Sequence, residues 1–128
     1  MSDTHGTVHW SELMTPDVPK ALAYYGEVCG WTFDMMPMPE GDYRIGMQGE
    51  TPMAGIMGME SMPKDMPPHW LTYLAVDDVD KAVAHTKNAG GQVFRDSVDV
   101  QGVGRFAIVS DPTGAAVGLI TPSDAPME

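Results

Sequence analysis

The 128-residue sequence has a single cysteine, Cys29, so no disulfide can close within the chain and the cross-linked scaffolds of small secreted proteins are excluded. It has no long apolar run, and its opening residues, "MSDTHGTVHW", lack the basic-then-apolar pattern of a leader. The expectation is a soluble cytoplasmic protein. Bases are scarce: 7 lysines and arginines stand against 18 acids, a formal charge of −11 that repels phosphate backbones and anionic lipid. Nucleic acid and membrane are therefore poor partners, and neutral or cationic small molecules are favoured. No phosphate loop is present, because "GMQGETPMAG" has glycines without a P-loop lysine, and no spacing of Ser, His and Asp supports a nucleophilic triad.

What is present is a core and a repetition. With 43% hydrophobic residues, a chain of this length can bury one real core. The stretch "DVPKALA" at 17–23 returns sixty-one residues later as "DVDKAVA" at 78–84. Without a gap, that offset also pairs Leu13 with Leu74, Gly30 with Gly91, Phe33 with Phe94, Gly41 with Gly102, Arg44 with Arg105 and Ala54 with Ala115. These are eleven identities over positions 13–54, where composition alone gives about three, so a structural unit is duplicated.

Local patterns define each copy. "TVHWSELMT" alternates as a strand, with Val8, Trp10, Glu12 and Met14 on one face and His9, Ser11 and Leu13 on the other. Asp17 is placed to cap a helix with Pro19 in its first turn, Ala21, Leu22, Tyr25 and Cys29 on one stripe, and Gly30 at its end. "WTFDMM", "YRIGMQG" and "PMAGIMGM" are strands, and "PMPEGD" a turn between the first two. The proline-rich 60–68 reads as a linker outside the core. Then "HWLTYLAV" is a strand, Asp78 caps a helix carrying Ala82, Val83, Thr86 and Ala89, and "QVFRDS", "GRFAIVS" and "AAVGLIT" are strands. In "DPTG", Asp111 is placed to accept backbone hydrogen bonds, with Pro112 and Gly114 shaping the turn, and the tail "PSDAPME" reads as loose. The expectation is one domain, 1–128, of two βαβββ repeats, 6–59 and 69–121, joined by linker 60–68.

Those two units and the "DPxG" turn resemble the vicinal oxygen chelate superfamily of glyoxalase I, bleomycin-resistance proteins and extradiol dioxygenases. The resemblance is carried by "WSELMTPDVPKALAYYGEVCGW" at 10–31, "YLAVDDVDKAVAHTKNAGG" at 73–91 and "SDPTGAAVGL" at 110–119. It implies an α+β fold in which two βαβββ modules form a curved mixed sheet, with helices on its convex face, a ligand cavity in the cup, and a homodimer. It also implies His and Glu metal ligands on the first and fourth strands. The corresponding positions are Trp10, seven residues before the capping aspartate, and Gly118, four after Gly114. The repeat offset carries them to Leu71 and Met57. None of these four is a hard-metal ligand, so no metal cofactor is expected. Nor do the histidines supply one: His5 falls in a mobile start, His9 opposes Trp10, His69 precedes its strand and His85 lies on the second helix.

Period-two alternation places Glu12 and Met14 beside Trp10 in the implied cup, and the offset adds Tyr73. The expected ligand-binding residues are Trp10, Glu12, Met14, Met57, Leu71, Tyr73 and Gly118, around a small organic molecule, cationic or aromatic, held without metal as bleomycin-resistance-type relatives hold theirs. The alternative is a lyase, isomerase or dioxygenase-type enzyme of the same superfamily with Glu12 and Tyr73 as a proton-transfer pair. A third reading is an interaction protein whose cup is plugged by Trp10. Twelve methionines suit a re-packable apolar wall or plain core, with Cu(I) at "MGMESM" a remoter reading. Cys29, at a helix C-terminus whose dipole disfavours thiolate, reads as a packing residue.

Overall fold

A computed structural model describes residues 3–38, 41–60 and 62–123. The elements run β1 (Val8–Met14), α1 (Val18–Cys29), β2 (Thr32–Met38), β3 (Gly41–Gln48), β4 (Thr51–Met57), β5 (His69–Ala75), α2 (Val79–Asn88), β6 (Val93–Val100), β7 (Gly104–Ser110) and β8 (Ala116–Pro122). This is the expected βαβββ pattern, twice, in an α+β chain. Residues 39 and 40 of the "PMPEGD" turn, Ser61 of "MGMESM" and residues 124–128 of the tail lie outside the described residues.

The chain divides into two compact units. The N-terminal unit is Trp10–Leu71, and the C-terminal unit joins the residues up to His9 with those from Thr72 onward. In the N-terminal unit the strands lie in the order β2-β3-β4-β1, and in the C-terminal unit β6-β7-β8-β5. Within each, first and last strands pair in parallel and the others antiparallel. The parallel pair is possible because a helix carries the chain back along the sheet.

Both helices start as the sequence dictates. Asp17 accepts from the Lys20 N–H and Asp78 from the Lys81 N–H, each at 3.1 Å, satisfying amides that have no partner inside the helix. Gly30 ends α1 at φ 73°, in the left-handed region that lacks a penalty only for glycine.

The helices differ in packing. α2 sets Val79 and Val83 against Ala107, Val109 and Leu119, a compact core on one face of the C-terminal sheet, each valine contributing about 1.5–3 kcal/mol by burial. α1 has no fully buried residue. Beneath it lies an aromatic layer: Tyr25 stacks on Trp31 at 5.8 Å and meets Trp70 edge-on at 5.4 Å, and the Trp70 N–H donates to the Tyr25 hydroxyl. The Trp31 ring occupies the space above Gly46.

Several expectations are corrected. Cys29 is exposed, on a helix with no fully buried residue, and is not the packing residue expected. The linker is not outside the core, since Met62 is 6% exposed. His69 begins β5 rather than preceding it. His5 is tied down: its Nδ1 accepts the Asp77 N–H at 2.9 Å, and the neighbouring backbone pairs with Ala75 in both directions.

The constant repeat offset also fails. Glu12 stands opposite Gly55 and Tyr73 opposite Gly118, while Ile45 faces Gly55 and Ile108 faces Gly118. Sixty-one residues therefore separate the first strands of the modules, but sixty-three separate the third and fourth. The register of β6 on β7 shifts between Val93 and Arg95 and again between Arg95 and Val98, whereas β2 on β3 runs unbroken. Bulges of this kind add residues to one strand without lengthening its partner. The counterpart of Gly118 is consequently Gly55, not Met57, and the matches of Arg44 with Arg105 and Ala54 with Ala115 are not structural.

Candidate functional site

Face assignment follows from pairing. Cross-strand partners share a face, so Glu12, Gly55, Ile45 and Asp34 form one row of the N-terminal sheet, and Met14 and Met57 lie in the next row on the same face. The intervening row, Leu13, Ile56, Arg44 and Met35, belongs to the other face. Trp10 shares the Glu12 face by alternation, as the sequence implies.

The centre of this face is a hydrogen-bonded relay. Glu12 is 5% exposed, an unusual position for a carboxylate. The Tyr43 hydroxyl donates to it and in turn accepts the Trp10 indole N–H at 2.7 Å. Burial drives the Tyr43 pKa well above the usual phenol value, and the adjacent Glu12 charge pushes it the same way. Tyr43 is thus a neutral donor throughout the physiological range. Its ring and hydroxyl occupy the space a Gly55 side chain would take. This residue is missing from the sequence-based set, because the offset of sixty-one gave β3 no link to Glu12; the alternation of "YRIGMQG" alone does not show that Tyr43 reaches over a glycine on the next strand.

The remaining expected residues divide between the units. Met14 pairs with Met57, whose side chain is half-buried, and Leu71 is fully buried in the N-terminal unit. In the C-terminal unit, the Tyr73 ring lies over Gly118, as Tyr43 lies over Gly55, and meets Phe106 edge-on at 5.9 Å. With the corrected register, the positions where the resemblance implies metal ligands are Trp10, Gly55, Leu71 and Gly118: an indole, two glycines and a leucine. Among the described residues no three His, Cys, Asp or Glu side chains converge to hold an ion. The donor set does not fit a divalent metal.

A family model described as "Glyoxalase/Bleomycin resistance protein/Dioxygenase superfamily" matches residues 7–119. The chain is 40% identical over 119 residues, 92% of its length and 45% of the relative's, to a Mycobacterium bovis protein named as a glyoxylase, CFP32. It is 32% identical over 127 residues, 46% of the relative's length, to the anthracycline biosynthesis protein DnrV of Streptomyces peucetius. It spans about half the length of these curated relatives. Among solved structures, methylmalonyl-CoA epimerase from Mycobacterium tuberculosis superposes with a TM-score of 0.62 at 12% identity, covering 96% of this chain and 93% of that one. Homoprotocatechuate 2,3-dioxygenase from B. fuscum gives 0.61 at 16% identity over 98% of this chain and 36% of that one. At such identities these two are likenesses of fold.

Proposed function

The chain belongs to the Glyoxalase/Bleomycin resistance protein/Dioxygenase superfamily, and from that premise we propose that it binds a small organic molecule without a metal, on the Trp10–Glu12 face of its N-terminal unit. The observation that carries this reading is the relay from Trp10 through Tyr43 to a buried Glu12, at the place where metal-dependent relatives are expected to hold their ion. Burying a carboxylate is costly, and a phenol held neutral and aimed at it keeps it oriented. Such a group can receive a cationic or hydrogen-donating ligand, with the half-buried Trp10 as an apolar wall. The net charge of −11 favours the same ligand class.

The test uses tag-free protein. Titration with Zn²⁺, Ni²⁺, Mn²⁺ and Fe²⁺ while following tryptophan fluorescence is expected to give no saturable response, and one ion bound per chain at high affinity overturns metal independence. Daunorubicin, a planar aromatic with an ammonium group, serves as the organic probe. Saturable binding that weakens at least about tenfold in Glu12→Gln supports the site. Equal binding by the variant assigns the effect to diffuse acidic charge and removes Glu12 from the reading.

A second reading is an enzyme, a lyase, isomerase or oxygenase in which Glu12 moves a proton next to a carbonyl, with Tyr43 as its orienting donor. The hydrogen bond from Tyr43 to Glu12 favours it, since such a bond fixes a base in one orientation. Loss of turnover in Glu12→Gln with probe binding retained would select it. Homodimerisation and a cytoplasmic location belong to this proposal too. Light scattering showing one chain per particle would remove the first, and cell fractionation tests the second. Among the described residues, no helix is long and apolar enough to cross a membrane.

A further inference from the structure

The two modules differ most at β6, where the pairing with β7 breaks step. Arg95 stands opposite Ile108 and Val98 opposite Phe106, so Asp96 and Ser97 together face Ala107 alone. Two residues against one is a β-bulge, and it turns both toward the face on which Ala107 packs under α2. β2 on β3 runs unbroken, so the N-terminal module has no counterpart of this feature. The helices differ to match. The offset of sixty-one holds from the Asp17 cap to the Asp78 cap, and it sets Pro19 and Gly26 where α2 has Asp80 and Lys87.

Asp96 and one side of α2 line an open cavity of about 350 Å³, a size that small organic ligands occupy. The helical wall is Asp80, Val83, Ala84, Lys87 and Asn88, at the three- and four-residue steps of a single helix face. Its first end is acidic. The Ser97 N–H donates to Asp96 Oδ1 at 2.8 Å and the Ser97 hydroxyl to Asp80 Oδ1 at 2.9 Å, so one serine fixes two carboxylates. Arg105 donates to that same Asp80 oxygen from Nε and a terminal nitrogen, at 3.1 and 3.0 Å, and none of these bonds uses the Oδ2 of either aspartate. The Ser97 hydroxyl, and after it Arg105, hold the Asp80 carboxyl below its usual range, so it stays charged. The middle of the wall is apolar, Val83 and Ala84. The far end carries Lys87 and Asn88, whose side chains have no hydrogen-bond or ion-pair partner among the described residues.

An acidic end, an apolar middle and an end with an ammonium and an amide are complementary to a molecule charged oppositely at its two ends. Asp80 and Lys87 are two helical turns apart, about 10 Å along the axis, so the two charges of that molecule must stand several ångströms apart. We propose that the cavity between α2 and the β6 bulge binds an ω-amino acid, with its ammonium on Asp80 and Asp96, its methylene chain on Val83 and Ala84, and its carboxylate on Lys87 and Asn88. The site lies on the α2 side of the C-terminal sheet and shares no residue with the Trp10–Tyr43–Glu12 relay, so it stands or falls separately from the reading above.

The probe is 6-aminohexanoate, followed by calorimetry and by chemical shifts of the Ser97 backbone amide and the Asn88 side-chain amide. Hexylamine and hexanoate, each lacking one charge, and glycine, whose charges are too close together, are the controls. Asp96 and Lys87 are exposed, so substitution there leaves the packing intact. The expected result is saturable binding to the wild type, weakened at least about tenfold in Asp96→Asn, in Lys87→Gln and for all three controls, with Glu12→Gln unchanged. Hexylamine should be insensitive to Lys87→Gln, since it has no carboxylate for that lysine to hold. The proposal is overturned if 6-aminohexanoate does not saturate by about 10 mM, if hexylamine, hexanoate or glycine binds as well, or if neither Asp96→Asn nor Lys87→Gln changes affinity.

Discussion

The indole N–H of Trp10 donates to the Tyr43 hydroxyl at 2.7 Å, and that hydroxyl donates to Glu12, so three side chains from two strands share one buried polar chain. Tyr43→Phe deletes its middle link, taking the acceptor from a part-buried indole N–H and one donor from the Glu12 carboxylate. The cost should be about 1–3 kcal/mol of stability, measured by urea unfolding at pH 7.

The same phenol sets an alkaline limit. Its folded pKa is raised above the unfolded 10.0, so the stability it contributes is fully present below that value and is lost as the pH climbs past it. Wild-type stability should fall above pH 10, and Tyr43→Phe, though less stable at neutrality, should fall less steeply. A parallel decline of both proteins would show that Tyr43 does not titrate against folding.

At the acid end the turn residue Asp111 acts in the opposite sense. Its pKa is depressed, chiefly by the Thr113 hydroxyl and then by the Ala115 amide and other backbone N–H groups, so its contribution is present above the unfolded 3.8 and disappears as the pH drops through the lower folded value. Asp111→Asn should lower Tm at pH 7 and make the melting temperature less dependent on pH below 4.

Gly118 admits the Tyr73 ring. A Cβ there would collide with ring carbons, so Gly118→Ala should cost about 1–3 kcal/mol by overpacking. Tyr73→Leu is destabilising by itself, but combined with Gly118→Ala it should cost less than the two changes summed. Simple additivity in the double-mutant cycle would mean that ring and glycine do not interact.

Arg44 places a buried Nε with no hydrogen-bond partner in the row of Leu13 and Ile56. Arg44→Met removes that donor while keeping the apolar stem, and should raise stability by about 1 kcal/mol, read as an increase in Tm. A fall in Tm would show that the guanidinium makes a net favourable contribution where it lies.

The sequence by itself determined the elements and their duplication. Capping aspartates, Gly30, the Asp111 turn and the alternation around Trp10 and Glu12 act over a few residues, where hydrogen-bond geometry and side-chain period leave few choices, and each is found where the pattern put it. Burial of Glu12, Met14, Leu71 and Tyr73 could also be read from that alternation. Tertiary structure alone decided what lies beside them. Two bulges in β6 shift the pairing of later strands, so Gly55 replaces Met57 as the counterpart of Gly118, and no constant offset in a linear sequence can register residues that a strand absorbs without changing its length. The missing side chains of Gly55 and Gly118 are filled by rings from other strands, Tyr43 and Tyr73, because a glycine on a packed face leaves a volume that some neighbour must occupy. Which neighbour does so depends on strand order and register, and these are properties of the folded sheet.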